Sequence, residues 1–83
     1  MNRKLVIETI KRELSTTHSG VKVVHNRFEK DKIDLFTLIH EKIYLTIPVF
    51  DMDKIIETHD DPIPVIMIDV LFRLMEFMKN ISK

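Results

Sequence analysis

The segment from Pro62 to about Asn80 has a pattern that strongly restricts what this chain can fold into. As a helix, it would place its polar residues at spacings of four, three and four, on one narrow stripe. These residues are Asp69, Arg73, Glu76 and Asn80. Nearly all the others are apolar, over about 240° of the circumference, whereas a surface helix needs an apolar face of only a little over about 100°. The segment therefore predicts a long helix with more apolar surface than one packing contact requires.

The apolar arc of this helix divides into two complete faces. The first consists of Ile63, Ile66, Val70, Leu74, Phe77 and Ile81, and the second consists of Ile68, Leu71, Met75 and Met78, with Phe72 at its margin. Each face has the three- and four-residue spacing that makes a continuous ridge on a helix. One face is expected to pack on a sheet, so the other needs a different partner.

Two interpretations of the second face are open. In one, the first helix of the chain and the segment 51–58 cover it within the same protomer. In the other, it meets a second copy or a different protein, and burial contributes on the order of 1.5–3 kcal/mol per large side chain before association costs. The latter interpretation predicts a partner interface made of Ile68, Leu71, Phe72, Met75 and Met78.

The rest of the chain predicts an α+β fold in a single small domain, residues 1–83. The predicted elements are a helix from about Asn2 to Ser15, strands over Val21–Phe28, Ile33–Ile39 and Ile43–Val49, and a short helix over Asp51–Thr58 before the long helix. The connections between the strands are short and polar, which favours an antiparallel meander with the N- and C-terminal helices packed on it. Asn2, Asp51 and Asp61 are the candidate N-caps, and Pro62 suits the first helical position.

The strands predict a sheet whose two faces are both partly apolar. Ile33, Leu35 and Ile39 share one face of the second strand, and Ile43, Leu45, Ile47 and Val49 share one face of the third. The opposite face then carries Phe36, Leu38, Tyr44 and Phe50. This opposite face is more apolar than a solvent-facing sheet normally is.

Few residues in the chain suit catalysis or metal binding. There is no Cys, which excludes disulfides, thiol nucleophiles and thiolate metal sites, and the single Gly excludes a glycine-rich phosphate loop. Four histidines are present without a metal-binding spacing: His18, His25, His40 and His59. The third hypothesis is a small metal-dependent enzyme in which His59 and Asp61 share a cation with Asp51 or Asp53. We therefore expect no enzymatic activity, no cofactor and no bound metal.

Charge is balanced overall but unevenly distributed. Residues 1–32 carry eight Lys or Arg and four Asp or Glu, a net +4, while residues 33–83 carry five and nine, a net −4. The predicted basic patch on the first helix is Arg3, Lys4, Lys11 and Arg12, and the acidic segment contains Asp51, Asp53, Glu57, Asp60 and Asp61. We expect the two halves to neutralise each other on folding. The acidic segment either caps two helices and faces water or docks on a basic partner.

The order of helix, three strands and helix resembles double-stranded-RNA-binding domains in outline. The resemblance implies basic residues at the start of the last helix, where they face phosphate. Asp60 and Asp61 occupy that place here and would repel phosphate. We therefore do not expect nucleic acid as a partner, and a nucleic-acid-binding regulator that uses the basic first helix is the alternative hypothesis.

The leading hypothesis is a small non-enzymatic protein-binding module, such as a regulator, inhibitor or accessory factor. It would act through the second apolar face of its C-terminal helix, as a homodimer or by docking on another protein. No membrane contact is expected, because Asp69, Arg73 and Glu76 interrupt the most apolar run. The absence of Cys fits a reducing compartment, so we expect a cytoplasmic protein.

Overall fold

The helices and strands follow one another in the predicted order. The computed structural model describes residues 2–16 and 20–81. Its elements are α1 (Arg3–Ser15), β1 (Lys22–Phe28), β2 (Ile33–His40), β3 (Ile43–Phe50), α2 (Met52–Thr58) and α3 (Pro62–Ile81). The α+β class and the element order are thus confirmed. His18 and the side chain of Ile81 lie outside the described part of the molecule.

Helix α1 begins and packs as its sequence predicts. The side chain of Asn2 accepts a 2.8 Å hydrogen bond from the backbone N–H of Leu5, which satisfies one of the free donors of the first turn. Val6, Ile10 and Leu14 are fully buried and form one stripe of the helix. Helix α1 therefore covers the sheet with the apolar face that periodicity indicates.

The three strands form an antiparallel meander in the order β1-β2-β3. Residues 29–32 connect β1 to β2, and residues 41–42 connect β2 to β3. Lys32 and Glu41 have φ values of 53° and 55°, so each connection contains one left-handed residue. Pro48 lies in an edge strand, where its missing N–H costs no hydrogen bond within the sheet.

The prediction for the faces of β2 was wrong. Phe36 and Leu38 are fully buried and point toward the helices, whereas Ile33, Leu35 and Ile39 lie on the opposite face. The register explains the difference, because the short β2–β3 connection places His40 opposite Ile43. Every second pair along the ladder, including Leu38 with Leu45 and Phe36 with Ile47, must then lie on the face that points toward the helices, which we call the inner sheet face.

The hydrophobic core lies between the inner sheet face and the two long helices. It contains Val6, Ile10, Leu14, Val21, Phe36, Leu38, Ile47, Val49, Met52, Ile66, Val70, Leu74 and Phe77. The first apolar face of α3 supplies four of these residues, as predicted. Phe28, Tyr44 and Phe50 are exposed on the other side of the sheet, which we call the outer sheet face.

Helix α2 is anchored by Met52, which is fully buried in the core. Asp51 occupies the N-cap position of α2, but it has a φ of 53° and, among the described residues, its side chain makes no capping hydrogen bond. The predicted side-chain cap at Asp51 was therefore wrong. Helix α3 does begin at Pro62, in agreement with the prediction.

Candidate interaction surface

The second apolar face of α3 is exposed to solvent in the protomer. The relative solvent-accessible surface is 70% for Ile68, 47% for Leu71, 75% for Phe72 and 70% for Met75. Within the described part of the chain, neither α1 nor α2 covers these side chains. This is the outcome that distinguishes the two interpretations of the face: the described part of the chain does not cover it. Met78, which we also predicted to belong to the interface, is partly buried and packs against the core.

The exposed surface extends further toward the start of α3 than we predicted. Val65 is exposed on the same side of the helix, one turn before Ile68. We call the set Val65, Ile68, Leu71, Phe72 and Met75 the α3 ridge. The helical spacing of Val65 from Ile68 is the signal that could have identified it from the sequence.

Charged side chains lie beside the α3 ridge and beyond its ends. Asp69, Arg73 and Glu76 are exposed along one flank, as the polar stripe predicts. Lys79 is exposed in the last turn, and Asp60 and Asp61 are exposed just before the first turn. The ridge is therefore an apolar strip that has acidic residues beyond its N-terminal end and a basic residue at its C-terminal end.

A polar cluster on the inner sheet face is the feature that sequence reasoning missed. The carboxylate of Asp34 is fully buried and accepts hydrogen bonds from both terminal nitrogens of Arg3, from Arg27 at 3.0 Å and from Nε2 of His25 at 2.8 Å. Asp53 of α2 accepts hydrogen bonds from the same two arginines, each at 2.9 Å. A single acid within the apolar run of β2 was the available signal.

This cluster stabilises the fold by linking four elements. Arg3 belongs to α1, Arg27 to β1, Asp34 to β2 and Asp53 to α2. A buried carboxylate needs such partners, because an unpaired charge in the interior is strongly destabilising. The pairing also joins the basic first part of the chain to the acidic second part, which is the neutralisation expected from the charge distribution.

The cluster divides both of the charged sets predicted from the sequence. Arg3 does not contribute to a free basic patch, since its guanidinium binds Asp34 and Asp53. The other predicted members of the patch are not in the cluster: Lys4 and Arg12 are exposed and Lys11 is half-buried. In the acidic segment, Asp53 binds the two arginines, whereas the side chains that face solvent without belonging to the cluster are Asp51, Glu57, Asp60 and Asp61. Neither predicted set therefore acts as one continuous surface.

No family model matches the chain, and neither the curated proteins nor the solved structures provide a match. The geometry of the chain itself must therefore support any functional conclusion. It offers three unusual features: the outer sheet face, which exposes Phe28, Tyr44 and Phe50; the polar cluster around Asp34, whose carboxylates are already bound by arginines; and the α3 ridge, which lacks a partner in the described part of the protomer. The α3 ridge is the best candidate of the three for a functional site.

The described residues offer no place for a metal ion and no membrane-crossing helix. Within residues 2–16 and 20–81, no group of three or more His, Asp or Glu side chains is arranged to hold a metal. Nδ1 of His59 lies 3.0 Å from the hydroxyl of Thr58 and 3.2 Å from the carbonyl oxygen of Ile55. None of the helices in this part of the chain combines the length and the apolar character needed to cross a bilayer.

Acid is expected to remove the contribution of Asp53 to stability. Partial burial acts to raise the pKa of Asp53, but the hydrogen bonds from Arg27 and Arg3 outweigh it and lower the pKa below its ordinary 3.8. A lowered folded-state pKa gives stability that is complete above 3.8 and is lost as the pH falls through the folded-state pKa. The free energies of unfolding of the parent and of Asp53→Asn, measured in urea, should therefore differ most above about pH 5 and converge as the pH falls below 3.8. A difference that is constant or grows with acid would contradict this assignment.

Proposed function

We propose that this protein is a small non-enzymatic protein-binding module whose α3 ridge is the binding surface. The observation that supports the proposal is the exposure of Ile68, Phe72 and Met75 on a helix whose opposite face is fully packed. Single exposed apolar residues are common, but a continuous strip of five is typical of an interaction site. We also infer a reducing compartment such as the cytoplasm, since the chain has no Cys.

The composition of the ridge favours a protein as the ligand. Its five residues carry no charge, so it offers nothing to phosphate or to an ionic small molecule. Met75 has a flexible, polarisable side chain that adapts to irregular apolar surfaces. Phe72 is the largest exposed side chain of the ridge and is a suitable central anchor, because aromatic residues are enriched among the energetically dominant residues of interfaces.

The alternative of a nucleic-acid-binding regulator receives less support from the geometry. It relies on the basic side chains of α1, and the guanidinium of Arg3 is occupied by Asp34 and Asp53. Lys4, Lys11 and Arg12 remain, with Glu8 and Glu13 on the same helix. Nucleic-acid binding depends on concentrated positive charge, which this helix does not provide.

The proposal predicts that Met75 is accessible in the isolated protomer and protected where the protein functions. Oxidative footprinting of dilute purified protein should modify Met75 rapidly and Met52 hardly at all, because Met52 is fully buried. The same footprinting in cells that express the protein natively should show Met75 protected at least several-fold. Tandem mass spectrometry, which locates the added oxygen at Met52 or at Met75, measures both rates.

A pair of adjacent substitutions controls for unfolding. At concentrations where the protein is monomeric, Met75→Glu should leave the melting temperature nearly unchanged, because its side chain is exposed. Leu74→Ala, one position away and buried, should lower stability by about 2–4 kcal/mol. The proposal is wrong if Met75→Glu unfolds the protomer, or if Met75 is oxidised in cells as fast as in dilute solution.

A further inference from the structure

We propose that the α3 ridge binds the α3 ridge of a second copy of this chain, with the two helices antiparallel. This inference rests on the proposed function and names its partner. It is derived from three properties of the described residues: the spacing of the apolar side chains, the distribution of charge along α3, and the area that the ridge can bury.

The ridge is complementary to itself when two copies run in opposite directions. A two-fold axis near Leu71 and Phe72 places Ile68 opposite Met75 of the partner subunit, and Leu71 opposite Phe72 of the partner subunit. The ridge positions 65, 68, 72 and 75 follow one another at spacings of three, four and three, as in the seams of paired helices. Each large side chain therefore has an apolar counterpart across the axis.

The charges at the two ends of α3 favour the antiparallel orientation. Asp60 and Asp61 lie exposed before its first turn, and Lys79 lies exposed in its last turn. Antiparallel pairing brings Lys79 toward Asp60 and Asp61 of the partner subunit, with an axial offset of about 4.5–6 Å at 1.5 Å per residue. Parallel pairing would place like charges together at both ends, and it would also align the two helix dipoles unfavourably.

The area of the ridge is sufficient for a reversible dimer. Its five side chains expose on the order of 600 Å² per protomer, if aromatic side chains present about 150–250 Å² and aliphatic ones somewhat less. A symmetric contact that covered all of this area would bury at most about 1,200 Å² in total, which is the lower limit of stable specific interfaces. We therefore expect a dimer that dissociates on dilution rather than a permanent one.

The outer sheet face is a weaker candidate for the contact between copies. Its centre contains Thr37 and Thr46, whose hydroxyls are 3.2 Å apart and hydrogen-bond each other. Ile33 and Leu35 on this face are already half-buried by their neighbours. Its most exposed aromatic residue, Tyr44, is 67% exposed and thus provides a control for the exposed Phe72 of the ridge.

Sedimentation equilibrium across a wide concentration range tests whether the partner is a second copy of the chain. We expect the parent to change reversibly from monomer to dimer, and Phe72→Glu to raise the dissociation constant at least 100-fold. Tyr44→Glu, which changes a similarly exposed aromatic residue outside the ridge, should leave the constant within about twofold. A monomer at every concentration, or equal effects of the two substitutions, would overturn the inference.

Cross-linking tests the relative orientation of the two α3 helices. Because the chain has no native Cys, only the introduced thiols can react. A mixture of Val65→Cys and Lys79→Cys proteins, treated with a short bismaleimide, should join one variant to the other. Each variant alone should cross-link little. Efficient self-cross-linking of Val65→Cys would instead indicate parallel helices and overturn the antiparallel arrangement.

The two proposals can fail separately. If the purified chain is monomeric throughout but Met75 is protected in cells, the ridge binds a different protein, and the second copy is excluded as its partner. If Met75 is unprotected in cells, the proposed function itself fails.

Discussion

Replacing Asp34 with Ala is expected to lower the free energy of unfolding by about 3 kcal/mol. The substitution removes the buried carboxylate that accepts hydrogen bonds from Arg3, Arg27 and His25. Both arginine side chains then lose their main partner on the inner sheet face. The expected loss lies at the lower end of the range for broken buried pairs, because part of the Arg3 side chain reaches solvent. Urea unfolding followed by circular dichroism measures it.

Asp53→Ala is the matched control for this prediction. Asp53 accepts hydrogen bonds from the same two arginines, but its side chain is 52% exposed, so its loss should cost about 1 kcal/mol or less. Since a domain of this size has a total stability of only about 5–10 kcal/mol, the two substitutions should be clearly separated. Equal losses at Asp34 and Asp53 would show that burial of Asp34 does not determine its contribution.

Replacing Phe36 with Ala is expected to cost about 3–5 kcal/mol and to leave the protein close to unfolding. Phe36 is fully buried on the inner sheet face, between His25 and Ile47 on the neighbouring strands. Its ring also lies 5.0 Å from the ring of His25, centroid to centroid. Removing it leaves a cavity that the surrounding strands and helices cannot fill without moving. Chemical denaturation, or loss of the thermal transition, would report the effect.

Leu35→Ala provides the control, because Leu35 is adjacent in sequence but lies half-buried on the outer sheet face. It should cost about 1 kcal/mol, since much of its side chain is already in water. The opposite ranking, with Leu35 more sensitive than Phe36, would mean that β2 has the reversed orientation that the strand pattern first suggested.

Local patterns in the sequence were sufficient for the elements of the fold. The apolar spacing in α1, the N-cap at Asn2 and the start of α3 at Pro62 depend on interactions within one or two helical turns. The strands, with two- and four-residue connections, likewise required an antiparallel meander. These features could be predicted because neighbouring residues alone determine them.

The orientation of β2 could not be predicted from local sequence patterns. Both of its faces are apolar, so alternation assigns neither Phe36 nor Leu35 to the core. The register with β3 decides between them, and a shift of one residue would exchange the two faces. Asp34 was missed for the same reason: its burial follows from the orientation of β2, and its partners Arg3 and Arg27 come from elements distant in sequence.

By itself, the sequence determined that α3 has two apolar faces, because the period of a helix fixes which residues share a side. Only the tertiary structure decided which of these faces is free. The placement of α1 and α2 determines which side chains they cover, and they pack against the core without reaching Ile68, Phe72 or Met75 in the described part of the chain. Exposure depends on contacts between segments distant in sequence, and periodicity within one segment carries no information about them.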